Sequence, residues 1–257
     1  MAVLRDLLDA LRGGSVEVVD LTAKLHSGTP ILQLPLQFEN ALPFSLSEIS
    51  RYDERGPAWY WNNIHTSEHT GTHFDAPVHW ITGRDGEDVA QVPPRSLVAP
   101  AVVLDLSAET DPDFLLEIEH VRRWESEHGA LPEGGWLLYR TGWDARSEDA
   151  AAFLNADDTG SPHTPGISVE CARWLAEESP VIGVGVETVG TDAGAAHGFD
   201  PPFPCHSFLL GAGKYGLTQL QNLALLPATG ALVIAAPLPI VGGSGSPARV
   251  LALVERP

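Results

Sequence analysis

The sequence is poor in cysteine, and it contains a single methionine. Cys171 and Cys205 are the only two cysteines, and they lie 34 positions apart and outside any CxxC spacing. This pattern argues against a disulfide framework and against a thiolate metal site. The expected compartment is therefore a reducing cytoplasm.

Basic residues and long hydrophobic runs are also scarce. Fifteen Lys and Arg against 34 Asp and Glu give a formal net charge of -19, which repels phosphate backbones and anionic lipid headgroups. The longest apolar stretch, "GALVIAAPLPIVGG", is broken by Pro237 and Pro239 and is shorter than the roughly 20 residues of a membrane span. Charges interrupt the N-terminal "MAVLRDLLDALRGG", so no export signal is evident. We expect a soluble protein without nucleic-acid or membrane partners.

The remaining sequence predicts a single α/β domain over residues 1–257 with a central, mostly buried sheet, because strand-like and helix-like patterns alternate through its second half. Helical spacing is present at the N-terminus and at 117–129 and 168–179, the last opening on Ser168 as an N-cap. The connection between the final two strands allows them to form a hairpin-like pair. Six apolar or β-branched runs predict strands: 16–22, 100–107, 134–142, 180–187, 231–238 and 248–255.

Residues 26–66 have weak periodicity and are rich in proline and aromatic residues. We predict long ordered loops there, since loops carry most binding residues. Within them, Trp59, Tyr60 and Trp61 have two possible roles. They could stack on an aromatic substrate, although clustered aromatic residues more often belong to a core.

The segment "SEHTGTHFDAPVHW", residues 67–80, contains His69, His73, Asp75 and His79. A helix would leave Asp75 off the face shared by His69 and His73, and Pro77 would break it. An extended segment instead puts all four side chains on one side and apolar residues on the other. A flat strand would hold His69 and His73 about 13 Å apart, too far to share an ion, so the chain must bend. Gly71 lies at the required position and tolerates the necessary backbone angles.

Two interpretations of this segment compete. A histidine in a polar turn is usually held by hydrogen bonds and does no chemistry. Two imidazoles and a carboxylate, however, form a facial ligand set for zinc, manganese or iron that leaves positions open for water and substrate. Such an ion polarises a carbonyl and lowers the pKa of bound water to about 7, which supplies a hydroxide nucleophile. His79, beyond the rigid Pro77, could then transfer protons.

The segment matches H-x-G-T-H-x-D-x-P-x-H, and on this motif the chain resembles the cyclase family of metal-dependent hydrolases, which includes bacterial kynurenine formamidases and isatin hydrolases. Supporting matches are "DLT" at 20–22, "RTGW" at 140–143, "TPGIS" at 164–168 and "FPCHSFLLGAG" at 203–213. The resemblance implies His69, His73 and Asp75 as metal ligands and His79 as the catalytic acid/base. It also implies a swivelling β/β/α fold, zinc or manganese, and assembly as a homodimer or homotetramer.

One departure from the family concerns a second metal. Formamidases with two metals have a histidine followed twelve positions later by a glutamate, whereas here His206 is followed by Thr218. We therefore predict one divalent ion, Mn2+ or Zn2+, with Glu187 or Asp192 as the alternatives for a second carboxylate. His206 is still expected to face the site and to bind substrate.

The leading hypothesis is a metal-dependent hydrolase in which metal-bound hydroxide attacks the carbonyl of a small cyclic or formyl amide and His79 moves the protons. The substrate is a small molecule, with an aromatic ring as one option. A cyclase or lactonase of secondary metabolism would use the same metal with a substrate hydroxyl in place of water. A metal-binding protein without activity is disfavoured because the ligand set leaves open positions.

Overall fold

A computed structural model describes residues 3–34 and 37–256. The described helices are α1 (Val3–Gly13), α2 (Ile118–His128), α3 (Ala150–Leu154) and α4 (Val169–Glu177). The described strands are β1 (Val16–Asp20), β2 (Ser45–Asp53), β3 (Gly56–His65), β4 (His73–Asp75), β5 (Val98–Asp105), β6 (Leu115–Leu116), β7 (Trp136–Arg140), β8 (Gly166–Ile167), β9 (Gly183–Val186), β10 (Tyr215–Thr218), β11 (Ala231–Pro237) and β12 (Gly245–Glu255).

The large sheet closes on itself. Its strand order is β1-β12-β11-β5-β7-β9-β10-β4, and β4 pairs with both β10 and β12. β5, β7, β9 and β10 are parallel, whereas the pairings of β4, β11 and β12 are antiparallel. The ring is thus completed by only three residues, His73 to Asp75. The α/β class is confirmed as a mixed fold with a barrel-like sheet, and the swivelling β/β/α arrangement stays a prediction.

Two apolar clusters pack against opposite faces of the sheet. On β7, Trp136 and Leu138 join a cluster that gathers side chains from strands all round the ring, including Phe74 of β4. Leu137 and the ring of Tyr139 point the other way, into a cluster shared with α2 and α4. Because successive side chains of β7 point to opposite faces, this strand contributes to both apolar clusters, as expected for a sheet buried on two faces.

The six strands predicted from the sequence are confirmed as β1, β5, β7, β9, β11 and β12, and β11 pairs with β12. The predicted helices are confirmed as α1, α2 and α4. Ser168 is the N-cap of α4, because its Oγ accepts a hydrogen bond from the Cys171 backbone N–H at 3.2 Å.

The prediction of loops over residues 26–66 is wrong for its second half. β2 and β3 form an antiparallel hairpin, with Leu46 opposite Ile64 and Ser50 opposite Trp61. The hairpin escaped the pattern analysis because both of its faces are exposed, so it has no alternation of apolar and polar residues. Trp59 and Trp61 are 50% and 55% exposed, which also corrects their assignment to the core.

None of the helices within the described ranges is long and apolar enough to cross a membrane.

Candidate active site

The predicted bend between His69 and His73 is present at Gly71, whose φ is +65°. A Cβ at this position would lie 2.5 Å from Cδ2 of Leu25, so both the backbone angle and the available space require glycine. Beyond the bend, the Thr72 hydroxyl donates to the Gln219 carbonyl at 2.7 Å and accepts from the Ala23 N–H at 2.9 Å. The segment is therefore anchored just before the first residue of β4.

The alternation predicted for the motif is confirmed on β4. Phe74 points into the apolar cluster and is fully buried, while His73 and Asp75 point to the opposite side. His79 departs from the extended segment, because Pro77–His79 forms a single 3-10 turn that begins with proline. This turn carries the His79 ring back over His69, where the two rings stack with centroids 3.8 Å apart and planes 26° apart.

The donor atoms of the motif converge at distances that suit a shared ion. His69 Nδ1 lies 2.8 Å from Asp75 Oδ1, and His73 Nε2 lies 3.4 Å from the same oxygen. Two ligands about 2.1 Å from one ion and about 90° to 110° apart would be roughly 3.0 to 3.4 Å from each other. The nitrogen and oxygen donors are also those that zinc and manganese accept. Both measured pairs share Asp75 Oδ1, and their nitrogen and oxygen donors are of the kind that a divalent metal binds.

A second grouping overlaps this one. Donor atoms of His69, Asp75 and His79 all lie within 4.8 Å of one another, so His79 is close enough to compete with His73 for the role of third ligand. The environment of His73 favours the predicted set. Its Nδ1 lies 2.7 Å from the Gly71 carbonyl, to which it donates, and this leaves the Nε2 lone pair directed at Asp75 Oδ1.

His73 and His79 are held neutral by burial. Burial lowers the pKa of His73 to about 4 and that of His79 to about 3, against the opposing charge of Asp75. Burial alone would raise the pKa of Asp75, but the neighbouring His73 and His69 lower it below its usual range. At neutral pH the site therefore combines a carboxylate with two neutral imidazoles, the protonation state required for metal binding.

His206 faces the same site, as predicted. Its ring centroid lies 5.5 Å from that of His79 and 4.8 Å from that of Trp80. Asp192 accepts a hydrogen bond from His206 Nδ1 and two more from the backbone N–H groups of Cys205 and His206. Burial alone would lower the pKa of His206, but Asp192 raises it above the ordinary histidine value.

Thr218 occupies the place that the sequence assigned to a missing glutamate. It ends β10 opposite His73, and its Oγ1 lies 3.1 Å from His73 Nε2. The two candidate replacements have other partners. Asp192 holds His206, while Glu187 Oε2 accepts hydrogen bonds from Thr141 and Trp143. These contacts favour a site with one ion.

Two residues near the motif were missed as parts of the site. Ser244 Oγ lies 2.8 Å from His69 Nε2, and Glu68 accepts a 2.6 Å hydrogen bond from the same hydroxyl. Ser244 lies in a glycine-rich segment far from the motif in the sequence. A contact that spans 175 positions leaves no signal in a single sequence.

Comparison with known proteins agrees with this geometry. The model of the Cyclase family, described as "Putative cyclase", matches residues 19–193. This chain belongs to the Cyclase family. An isatin hydrolase of Roseibium aggregatum is 49% identical over 251 residues, which cover 96% of this chain and 95% of the relative. A kynurenine formamidase of Salinibacter ruber is 31% identical over 192 residues, which cover 74% of this chain and 77% of the relative.

Among solved structures, this Cyclase family member is similar to an isatin hydrolase bound to the product analogue thioisatinate. The TM-score is 0.96 at 46% identity, over 99% of this chain and 98% of that chain. With two isatin hydrolases that match 96% and 99% of its length and a kynurenine formamidase that matches 74%, the chain is a metal-dependent amide hydrolase that acts on non-peptide carbon–nitrogen bonds.

Proposed function

We propose that this hydrolase opens the lactam ring of isatin or of a closely related cyclic amide, with one ion held by His69, His73 and Asp75. The observation that carries the proposal is the approach of two imidazole nitrogens to Asp75 Oδ1, at 2.8 Å from His69 and 3.4 Å from His73, beside His79 and His206. The likeness to an isatin hydrolase that holds thioisatinate supports the substrate class.

The proposed reaction divides the work between the ion and two histidines. When bound, a divalent ion supplies Lewis acidity for a carbonyl oxygen and for water. His79 is neutral at pH 7, since its pKa is about 3, and one of its ring nitrogens accepts the proton of a water molecule. The water oxygen adds to the carbonyl carbon, the carbon–nitrogen bond breaks, and His79 returns the proton to the nitrogen that leaves.

His206 is assigned to substrate binding. Asp192 accepts a hydrogen bond from its Nδ1 and raises its pKa, which favours the protonated ring. In that form Nε2–H donates a hydrogen bond to a substrate oxygen. Trp80 lies beside it, with its Nε1–H donating to Ser207 Oγ at 3.2 Å and its ring against Phe203 at 5.6 Å. These fixed aromatic faces suit a flat aromatic substrate such as a fused lactam.

The ion is proposed to be Mn2+ or Zn2+, since both accept imidazole nitrogen and carboxylate oxygen. A cytoplasmic location remains our proposal on the basis of the two cysteines, which are both buried thiols. The single domain over residues 1–257 and the swivelling β/β/α arrangement also remain proposals.

We also propose that the protein assembles as a homodimer or homotetramer through the β2–β3 hairpin. Leu46 and Ile64 face each other across its two strands, and both are exposed, as are Tyr60 and Trp61. Tyr60 and Trp61 are neighbours on β3 and so expose apolar rings on its two opposite faces. Exposed apolar side chains concentrated in this way are typical of an interaction site. A second copy of the same acidic chain fits it because the charges on the hairpin are already paired, Arg55 binding Glu48 and Asp53.

The test is a substrate panel on the purified protein. Isatin, N-formylkynurenine and an aromatic lactone are supplied to metal-stripped protein and to protein reconstituted with Mn2+ or Zn2+, and ring opening is followed by absorbance. We expect metal-dependent hydrolysis with isatin as the preferred substrate. Preference for the lactone, or equal turnover after metal removal, would contradict the proposal.

A further inference from the structure

We propose that Glu68 and Ser244 form a hydrogen-bond relay that fixes the tautomer of His69 and thereby directs its Nδ1 at the metal. This inference rests on the proposed metal site and assigns a positioning role to two residues outside the family motif. It also assigns a role to the glycine-rich segment at residues 242–246.

The relay is a chain of three side chains. Glu68 Oε2 lies 2.6 Å from Ser244 Oγ and 3.1 Å from the Ser244 backbone nitrogen, so it accepts from both groups. Ser244 Oγ lies 2.8 Å from His69 Nε2. On the far side of the same imidazole, Nδ1 lies 2.8 Å from Asp75 Oδ1.

The direction of the relay follows from counting protons. A carboxylate only accepts, whereas a serine hydroxyl has one proton to donate. Because that proton goes to Glu68, the Ser244 oxygen is left as an acceptor for an N–H on His69 Nε2. A neutral imidazole has one N–H, so Nδ1 then presents a lone pair towards Asp75 Oδ1. Two lone pairs that converge at 2.8 Å are the arrangement that a shared cation stabilises.

The same count separates this relay from a nucleophilic triad. Ser244, His69 and Asp75 are spaced like a serine, its base and the carboxylate that orients the base. In such a triad the serine must donate its proton to the histidine. Here the shorter contact of Ser244 is with Glu68, which takes that proton, so the hydroxyl is not activated for attack.

The backbone around Ser244 is built for this close approach. A Cβ at Gly243 would lie 2.9 Å from Glu68 Oε1, and one at Gly245 would lie 2.6 Å from His69 Cε1. Both flanking glycines therefore leave room for the two partners of Ser244. The segment is also anchored, because the Ser244 carbonyl accepts from the Ala76 N–H at 3.0 Å, one residue after β4. Ser244 thus lies at a fixed position relative to Asp75.

The relay predicts a loss of metal affinity when the hydroxyl is removed. Outer partners of metal-binding histidines typically contribute 10- to 100-fold to metal affinity. We therefore expect Ser244→Ala to weaken Co2+ binding by about 10- to 100-fold in a chelator competition. Its Co2+ absorption spectrum should also shift, because the orientation of one ligand is no longer fixed. Activity should recover at saturating metal.

Ser246→Ala is the matched control. It removes a buried hydroxyl two positions along, whose contacts are with the Leu238 N–H and the Pro247 carbonyl and not with the motif. Its Co2+ affinity should stay within about twofold of the wild type. Glu68→Ala and the Glu68→Ala/Ser244→Ala double variant complete the set. A single relay predicts that the double variant binds Co2+ no more weakly than Ser244→Ala alone.

Several outcomes would overturn the relay. These are wild-type affinity in Ser244→Ala, an equal loss in Ser246→Ala, and losses that multiply in the double variant. Normal Co2+ affinity combined with no activity at saturating metal would instead make Ser244 a nucleophile. Failure of the wild type to bind Co2+ at all would contradict the proposed function itself, so the two failures are distinguishable.

Discussion

The motif segment at residues 69–79 and the β2–β3 hairpin at residues 45–65 are neighbours in the sequence but differ in almost every physical respect. From Thr70 to Pro77 every residue is buried, whereas nearly every residue of the hairpin strands is exposed. The motif is polar and the hairpin is rich in large apolar side chains, the reverse of the usual distribution. The difference shows that burial in this chain follows from the partners available and not from hydrophobicity alone.

Most buried polar side chains of the motif have a partner in the same chain, the Thr70 hydroxyl being the exception. His73 binds the Gly71 carbonyl, His69 lies between Ser244 and Asp75, and Thr72 binds the Gln219 carbonyl. Satisfied polar groups can be buried at little net cost, while unsatisfied ones cost about 1–3 kcal/mol each. The hairpin has no comparable partner within the described residues, and we propose a second copy of the chain as the partner of its apolar side chains.

The largest effect is expected from a ligand of the motif. His73→Ala should remove the ion and, with it, the Lewis acidity on which His79 depends, so activity should fall by about 10⁴-fold or more. Metal content by mass spectrometry and turnover of isatin are the two measurements. His163→Ala is the control, since His163 is paired with Asp113 in a loop and should leave both values unchanged. Retention of the ion in His73→Ala would remove this residue from the ligand set.

His79→Ala should separate proton transfer from metal binding. We expect metal content near the wild-type value and a 10²- to 10⁴-fold fall in kcat, the range of a positioned general acid or base. Because the donor atom of His79 lies within 4.8 Å of those of His69 and Asp75, the opposite result is physically possible. Loss of the ion as complete as in His73→Ala would make His79 a ligand, and His206 would become the first candidate for the proton carrier.

Glu187 is a buried carboxylate with hydrogen-bond partners for only one of its two oxygens, and its burial therefore destabilises the charged form. Its Oε2 is hydrogen-bonded, but its Oε1 is buried without a hydrogen-bond partner, and burial raises its pKa from 4.5 to about 7. The folded state therefore binds this proton more tightly than the unfolded state, so stability is lost as pH rises from about 4.5 to 7. Chemical denaturation from pH 4 to 8 should show a fall of about 3 kcal/mol that is absent in Glu187→Gln. Identical pH profiles for the wild type and Glu187→Gln would show that the Glu187 carboxylate is solvated in the folded protein.

The smallest effect on folding is expected in the hairpin. Trp61→Ser should reduce the mass of the assembly in analytical ultracentrifugation. At concentrations where the chains are monomeric, it should change the free energy of unfolding by less than about 0.5 kcal/mol. Leu225→Ser provides the control, since Leu225 is 64% exposed and lies outside the hairpin. An unchanged mass for Trp61→Ser, or the same loss of mass for Leu225→Ser, would contradict assembly through this surface.

The parts predicted from the sequence are those determined by local chemistry. The bend at Gly71 was predicted because a flat strand would hold His69 and His73 too far apart to share an ion. The longer strands were predicted from apolar runs, whose side chains pack on both faces of the sheet. β4 and β10, with three and four residues, are too short to produce a periodic signal. They become strands only because the closed ring pairs them with each other, β10 with β9 and β4 with β12.

The parts that were missed depend on partners far away in the chain or outside it. Ser244 contacts His69 across 175 positions, and the exposed hairpin has its expected partner in another chain. Asp192 was considered only as a metal ligand, but the structure pairs it with His206. In each case the residue type was visible in the sequence, but its partner could be identified only from the folded structure.

Metal stoichiometry of the reconstituted wild-type protein is the most direct test of the account. His69, His73 and Asp75 supply one set of converging donors, and Thr218 takes the place of a carboxylate at the second site. After reconstitution and removal of free metal, mass spectrometry should find about one divalent ion per chain. Two tightly held ions would contradict the single site and direct attention to Glu187 and Asp192. A value near zero would show that the histidines form only a hydrogen-bonded cluster.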